Sequence, residues 1–288
     1  MGNIAKMLLG NMQKPEGAER EALIAEYHGY HQLERQEDGS LVEWDPKEKA
    51  KYTPKPERFH GCDEWDEVVE RYANRKFIIM GAGESALELQ DLHLLNGQLV
   101  YGINWTWDWF MPTFLQSMDA APIQKGIIEA SRGDLARREV STCLVANTKH
   151  EDKVAGKWGG STLWFGTQEE WGLQETPGEP VLHTANSLGV ALSIAYWFRP
   201  ERIVLVGFDF GGAHFFGDGR TKGCIGHYGE PGSAHKQDLW PKLRYLRDAL
   251  YERKIPVAQV GETALDVFPG AMDLEHAIKG EKEDFLWP

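Results

Sequence analysis

Short apolar runs that alternate with helical segments constrain the fold of this chain more than any other feature of its sequence. Lys76–Met80 (KFIIM) and Arg202–Val206 (RIVLV) are each followed by a glycine, which is typical of buried parallel strands. Further strands are predicted at residues 98–103, 114–118, 141–146 and 255–260. Helical spacing predicts helices at residues 63–72, 85–95, 184–197 and 238–254. The alternation predicts an α/β fold with a Rossmann-like, doubly wound, mostly parallel sheet and helices on both faces.

Residues 1–60 differ from the rest of the chain. Residues 18–27 show a short amphipathic pattern, and a polar, proline-containing stretch follows. We expect an N-terminal extension, partly helical, that wraps around or tethers to the remainder. Residues 61–288 are expected to form a Rossmann-like nucleotide-binding catalytic domain. Its Gly- and Trp-rich residues at about 150–180 lack periodicity, which predicts a long functional loop or a small insert.

The charge balance argues against nucleic acid as a partner. The chain has 31 Lys and Arg against 44 Asp and Glu, so its formal net charge is −13. Such a surface repels phosphate backbones, although this count does not detect a local basic patch.

Cysteine usage and hydropathy favour a cytoplasmic protein. Cys62, Cys143 and Cys224 are far apart and show no CxxC spacing, as expected for reduced thiols. The start of the chain lacks the apolar core of a signal peptide, and no apolar run approaches transmembrane length. We therefore expect no membrane span, and a homo-oligomer is compatible with these features.

Residues 81–85 (GAGES) carry the strongest nucleotide signal in the chain. Two glycines allow a tight turn and a close approach of the backbone to a ligand. The next helix is predicted to begin at Ser85, where free amides and the helix dipole favour a phosphate. We expect the nucleotide to bind at Gly81, Ala82, Gly83, Glu84 and Ser85. The third glycine of the dinucleotide fingerprint and the Walker lysine are both missing, so a purely structural turn is the alternative.

Polar residues at other strand and helix ends extend this predicted site. In an open parallel sheet, ligands bind outside the carboxyl ends of the strands, where Asn104 and Asp119 stand. A helix start at residues 184–187 offers more hydrogen-bonding side chains than one cap needs. The nucleotide contacts expected there are Thr184, Asn186 and Ser187. A cap with a solvated neighbour is the alternative.

A histidine-bearing segment follows Arg202–Val206. It begins at Asp209 and contains His214, His227 and His235. Histidine titrates near neutrality and suits general-base catalysis on an acceptor hydroxyl; a non-catalytic loop role is the alternative for each. The spacing of the three matches no compact zinc pattern, so a metal site is the weaker hypothesis.

Two groups of tryptophans have two interpretations. The groups are Trp105, Trp107 and Trp109, and Trp158, Trp164 and Trp171. Packing is the simpler interpretation. The functional alternative is an aromatic wall against a sugar or base ring.

The order of these motifs resembles that of a group of transferases. GAGES after a strand, Asn104 after the next strand, the helix ANSLGVALSIAYWF and the strand RIVLVGFDF follow one another here. This order is similar to that of bacterial sialyltransferases of the lipooligosaccharide type. It is also similar to that of 6-hydroxymethylpterin diphosphokinase-like proteins and motility-associated glycosyltransferases. The resemblance extends over residues 76–260.

The resemblance implies a nucleotide-dependent transferase. Residues 81–85 would face the donor phosphate, while Asn104 and the helix start at residues 184–187 would contact the nucleotide. The catalytic residues that it implies are His235 as the general base, His227 as the reserve choice, and Asp209. The chain departs from the sialyltransferase pattern at Ala82, Glu84 and Phe210, which leaves the donor sugar unassigned.

Three functions are left open. The first is a metal-independent glycosyltransferase that uses a nucleotide-sugar as substrate, needs no further cofactor and has a histidine base. The second is a diphosphokinase-like enzyme in which Asp119 and Asp209 hold Mg²⁺ for ATP. The third is a non-enzymatic nucleotide-binding or assembly module that uses the N-terminal extension.

Overall fold

The computed structural model of the chain describes residues 33–35, 41–43, 54–81, 83–86, 92–104, 106, 110–118, 142–155, 158, 160–184, 186–210, 234–261, 266–271 and 273–285. The strands are β1 (Leu33–Arg35), β2 (Leu41–Glu43), β3 (Lys76–Met80), β4 (Val100–Ile103), β5 (Phe114–Ser117), β6 (Cys143–Asn147), β7 (Thr162–Phe165), β8 (Thr167–Gln168), β9 (Val181–Leu182), β10 (Arg202–Val206) and β11 (Val257–Val260). The α-helices are α1 (Trp65–Tyr72), α2 (Glu151–Val154), α3 (Ser187–Trp197), α4 (Ala234–Glu252) and α5 (Leu274–Lys279). Short 3-10 helices lie at Glu84–Ala86, Leu92–Leu95, Thr148–His150 and Lys282–Phe285.

A seven-stranded, all-parallel sheet forms the centre of the fold. Its strand order is β11-β10-β3-β4-β5-β6-β7, and β10 pairs with β3 so that Ile203 lies opposite Phe77. From β3 the chain moves outward to β7, and it then returns to the other side of β3 for β10 and β11. This arrangement confirms the predicted α/β, Rossmann-like fold. Two further pairs, β1 with β2 and β8 with β9, stand outside the central sheet.

Apolar side chains cover both faces of the sheet. Successive residues of a strand point to opposite faces, so Phe77 and Ile79 of β3 join the cluster beneath α1, α3 and α4. Ile78 and Met80 join the cluster on the other face, beneath α5 and the 3-10 helix Leu92–Leu95. α3 contacts β4, β5 and β9 on one side and α4 on the other, which explains why it is apolar all round.

Side chains near α1 cover the outer edge of β7. The outward-facing amide of Thr162 donates to Asp63 Oδ1 at 3.1 Å. Trp65 Nε1 donates to the outward-facing carbonyl of Trp164 at 2.7 Å. These two hydrogen bonds also fix the start of α1 against the sheet.

A later part of the chain covers the outer edge of β11. The amide of Gln259 donates to the carbonyl of Pro269 at 2.9 Å, and its carbonyl accepts from the amide of Ala271 at 2.7 Å. The edge strand is therefore bonded on both of its sides.

Residues 54–60, which belong to the predicted extension, lie against the sheet. The amide of Glu57 donates to the carbonyl of Gln98 at 2.9 Å, and its own carbonyl accepts from Thr113 Oγ1 at 2.7 Å. Phe59 is buried in the core beneath α1. The predicted helix at residues 18–27 lies outside the described residues.

Two predicted segments differ from the structure. Within the described residues, two 3-10 helices, Glu84–Ala86 and Leu92–Leu95, take the place of the helix expected at residues 85–95. Hydrogen bonds from Gly83 and Ser85 to the turn after β10 hold the first of them. The stretch at about 150–180, expected to be a loop or insert, contributes β7 to the central sheet. Within the described ranges, no helix combines the length and apolar character needed to cross a bilayer.

Candidate functional site

The direction of the strand order reverses between β3 and β10. The chain leads from β3 to β4 on one side and from β10 to β11 on the other. The loops after these two neighbours therefore diverge and open a crevice, which is where ligands bind in sheets of this kind. Residues 81–86 follow β3 and residues 207–210 follow β10, so the GAGES turn and Asp209 meet at this switch point.

Hydrogen bonds join the turn after β3 to the turn after β10. The amide of Gly83 donates to the carbonyl of Gly207 at 2.9 Å. Ser85 donates its amide to Asp209 Oδ2 at 3.0 Å and its hydroxyl to Asp209 Oδ1. A Cβ atom on Gly83 would lie 2.5 Å from Asp209 Cγ. Glycine at this position is therefore needed for the approach of the carboxylate.

The contact changes the role expected of Ser85. Its amide, predicted to be free for a phosphate, already donates to a carboxylate. The 3-10 helix Glu84–Ala86 is three residues long and lacks the aligned dipoles of an α-helix. A phosphate at the same place would be repelled by Asp209. The turn after β3 thus positions Asp209 and does not offer the Ser85 amide to an anion.

Thr106 joins the ends of β3 and β4. Its fully buried hydroxyl lies 3.1 Å from the carbonyl of Met80 and 2.9 Å from that of Ile103. Thr106 Oγ1 also accepts from the amide of Ile103 at 3.2 Å. These bonds hold Asn104, the residue after β4, next to the switch point. The sequence shows Thr106 only as a polar residue between tryptophans, and its bridging role was not predicted.

Asn104 has a buried polar atom without a hydrogen-bond partner in the part of the chain that the structure describes. Its φ of 52° lies in the left-handed region, which asparagine tolerates better than most residues. Its Nδ2 donates to Ser187 Oγ at 3.3 Å, while Gln116 Nε2 donates to the carbonyl of Ser187 at 3.1 Å. Asn104 Oδ1 is buried and has no hydrogen-bond partner among the described residues. Such an acceptor is costly unless a ligand or water donates to it.

Asn186, and not Thr184, caps α3. Asn186 Oδ1 accepts from the amide of Leu188 at 2.7 Å. Thr184 is fully buried, and its hydroxyl donates to the carbonyl of Asn186 at 2.8 Å. A Cβ atom on Gly189 would lie 2.1 Å from Thr184 Oγ1, so Thr184 crosses the first turn of the helix. Asn104, after β4, and Gln116 of β5 both donate to Ser187, so the positive end of α3 lies at the carboxyl ends of these strands.

Three charged or ionisable side chains from separate segments, none of them predicted as a site residue, lie close together near the start of α3. His183 Nδ1 lies 2.8 Å from Glu169 Oε1. Lys242 Nζ donates to the carbonyl of His183 at 2.7 Å and lies 3.6 Å from Glu169 Oε2. The hydrogen bond from His183 is the main cause that lowers the pKa of Glu169, and the charge of Lys242 adds to it. Because an ionised carboxylate only accepts hydrogen bonds, Nδ1 of His183 carries a proton.

The structure brings together part of the predicted set. Gly83 and Ser85 meet Asp209, and Gly81 donates its amide to the carbonyl of Val206 at 2.8 Å. Asn104 meets Ser187 beside the cap formed by Asn186, and Thr184 lies beneath them. His235 lies in the first turn of α4, and Glu84 lies in a 3-10 helix. The predicted site residues outside the described ranges are Ala82, Asp119, His214 and His227.

A comparison with models of known protein families finds no match, and a comparison with curated proteins finds no similar one. Among the residues that the structure describes, no group of three or more His, Cys, Asp or Glu side chains is placed to hold a metal ion. The function is therefore inferred from the geometry of the crevice and from the order of the motifs.

Proposed function

We propose that this protein is a glycosyltransferase that moves a sugar from a nucleotide-sugar donor to an acceptor hydroxyl without a metal ion. Asn104 carries the proposal. Its Oδ1 is buried, lacks a partner in the described part of the chain, and lies at the carboxyl end of β4. An N–H of a base or an O–H of a ribose supplies the donor that this oxygen lacks. Ligands of open parallel sheets bind at this edge.

The start of α3 supports the placement of the donor phosphate. The helix has 11 residues, and its first amides and its dipole favour an anion. Ser187 stands at this end and accepts a hydrogen bond from Asn104. In sugar transfer, the main charge to be stabilised in the transition state develops on the departing nucleotide phosphate. The proposal places that phosphate beside Ser187 and away from Ser85, where the Asp209 carboxylate would repel it.

The resemblance to sialyltransferases and their clan supports the same reaction class. It predicts His235, in the first turn of α4, as the base that deprotonates the acceptor hydroxyl, with His227 as the reserve. Asp209 contributes by holding the turn after β3 in place through Ser85.

The position of Asp209 also favours a second candidate function. Its carboxylate stands at the switch point, where a diphosphokinase-like enzyme would hold Mg²⁺ between carboxylates and the phosphates of ATP. Asp119 would supply the other carboxylate. Under this alternative, nucleotide binding depends on the metal ion.

Nucleotide binding tests the proposal directly. The melting temperature is measured with CMP, UDP, GDP and ATP, each in the presence of Mg²⁺ and each with EDTA. We expect one nucleotide to raise it equally under both conditions. In Asn104→Ala, we expect the affinity for that nucleotide to fall about tenfold, since one hydrogen bond worth about 1.4 kcal/mol is lost.

Asn74→Ala is the matched control. Asn74 also has a positive φ, 57°, but it precedes β3 and so lies at the amino ends of the strands, away from the crevice. Both substitutions place alanine in the left-handed region, so the backbone strain is matched, and the affinity for the nucleotide is compared between the two variants. Binding that requires Mg²⁺ would favour the diphosphokinase-like reaction. If no nucleotide bound at millimolar concentration, both transferase functions would be wrong and an assembly module would be favoured.

A further inference from the structure

Trp171 is an exposed aromatic side chain outside the crevice. It is 54% exposed, and no other large hydrophobic side chain in the described part of the chain is comparably exposed. Its indole packs edge-on against the ring of Tyr245 on α4, with ring centroids 5.4 Å apart and planes at 65°. An edge contact leaves a ring face open to solvent. Large aromatic rings that combine an open face with polar neighbours are enriched at binding surfaces.

Polar groups form a rim beside this ring. Glu169 precedes Trp171 by two residues, and Lys242 precedes Tyr245 by three on the same face of α4. Glu169 is 76% exposed at its side chain, so its carboxylate is accessible to a hydroxyl group. Among the described residues, the ring of His183 makes only the one hydrogen bond, through Nδ1 to Glu169. The second ring nitrogen of His183 is therefore available to a ligand.

The segment that carries Trp171 is fixed in place from its other end. Tyr196 donates its hydroxyl to Glu175 Oε1 at 2.7 Å, and Arg253 pairs with the same carboxylate. Trp197 Nε1 donates to the carbonyl of Gln174 at 2.9 Å. A surface held in this way loses little conformational entropy when a ligand binds.

We propose that Glu169, Trp171, His183, Lys242 and Tyr245 form a subsite that binds the carbohydrate acceptor. A pyranose ring presents an apolar C–H face, which suits an open indole, and a rim of hydroxyl groups, which suits a carboxylate, an imidazole and an ammonium group. His183 precedes the α3 cap Asn186 by three residues, which span at most about 11 Å. The subsite therefore adjoins the proposed donor site. The role of this carbohydrate as the acceptor rests on the proposed function, whereas the binding of carbohydrate does not.

Saturation-transfer NMR with cellotriose and maltotriose as probes tests the subsite on the full chain. We expect signals from the ring C–H protons of at least one trisaccharide at millimolar concentration. In Trp171→Ala, we expect the affinity for that probe to fall about tenfold or more. Trp171→Phe keeps an aromatic ring and should retain part of the binding. Glu170→Ala, an exposed neighbour, should leave it unchanged.

The outcomes separate this subsite from the proposed donor site. If neither trisaccharide bound, or if both bound equally well to Trp171→Ala, the subsite would be wrong even if a nucleotide bound through Asn104. If saccharide binding depended on Trp171 but no nucleotide bound, the subsite would stand and the transferase would not. Light scattering adds a further check. A wild-type dimer that became a monomer in Trp171→Ala would identify Trp171 as a contact between copies and would overturn the inference.

Discussion

Two tyrosines place their hydroxyl groups in contrasting surroundings, and we expect opposite effects on the free energy of unfolding. Tyr251 buries its hydroxyl without a hydrogen-bond partner among the described residues. Tyr196 donates its hydroxyl to Glu175 Oε1. A buried hydroxyl without a partner costs free energy, whereas one that is bonded to a carboxylate stabilises the fold.

Tyr251→Phe and Tyr196→Phe are therefore expected to change stability in opposite directions. The first removes an unsatisfied group and should raise the free energy of unfolding by up to about 1 kcal/mol. The second breaks a partly exposed bond and should lower it by about 1 kcal/mol or less. Urea denaturation near neutral pH measures both. A loss of stability in Tyr251→Phe would show that its hydroxyl has a partner after all.

The same variants report on alkaline pH. Burial raises the pKa of both Tyr251 and Tyr196 to about 12, and the hydrogen bond to Glu175 adds to the effect at Tyr196. Because the pKa is higher in the folded state than its value of 10 in the unfolded state, the free energy of unfolding is unaffected below pH 10 and falls as the pH rises from 10 towards 12. We expect each phenylalanine variant to lose less stability over this interval than the wild type.

At the scale of single elements, the start of α3 depends on a glycine for an unusual reason. Glycine weakens a helix, and its replacement by alanine ordinarily stabilises an exposed helix by about 1 kcal/mol. In α3, however, the fully buried Thr184 occupies the space that a Cβ atom of Gly189 would need. Local helix propensity and tertiary packing are opposed at this position.

Gly189→Ala is accordingly expected to lower the free energy of unfolding by about 2 kcal/mol, since overpacking in a core costs about 1 to 3 kcal/mol. Adding Thr184→Gly removes the clashing side chain and should restore part of the loss. Gly166→Ala is the control, because its Cβ would come no closer than 3.5 Å to Pro180. Denaturant titration compares the variants. A Gly189→Ala protein as stable as the Gly166→Ala control would contradict this packing.

The predicted strands of the central sheet share one property, and β7, the strand of that sheet that was missed, lacks it. β3 and β10 are buried on both faces, so each reads as an unbroken apolar run. In β7, buried residues alternate with half-buried ones over four positions, which is too short for a clear signal. α5 has six residues and gives no helical period.

Part of the site could be predicted from the sequence because its residues directly follow predicted strands. Glycines and polar residues at strand ends indicated the carboxyl edge, and the structure places Gly83, Ser85, Asn104 and Asp209 there. The bonds between them were not readable, since Ser85 and Asp209 are 124 positions apart. Nothing in local sequence indicates that an aspartate will occupy the turn expected to hold a phosphate. Likewise, Glu169, His183 and Lys242 come from separate segments and show no common pattern.

At the scale of the whole molecule, residues 54–60 contact the sheet and the core, and we therefore expect the folded domain to begin before residue 61. A chain that begins at residue 54 keeps Phe59 in the core and Glu57 bonded to Gln98 and Thr113. A chain that begins at residue 61 loses them. We expect the shorter chain to be less stable by about 3 kcal/mol, as for the loss of a buried phenylalanine. Equal free energies of unfolding would support the predicted boundary between residues 60 and 61.

The covered edges of the central sheet have a consequence for how copies of this protein meet. Exposed strand edges are templates onto which further strands add, in fibrils and in swapped assemblies. At β7 the amide of Thr162 and the carbonyl of Trp164 are bonded to Asp63 and Trp65, and at β11 Gln259 is bonded to Pro269 and Ala271. At these positions the sheet cannot extend from one molecule into the next. Any association there must be made by side chains, and single substitutions can therefore disrupt it.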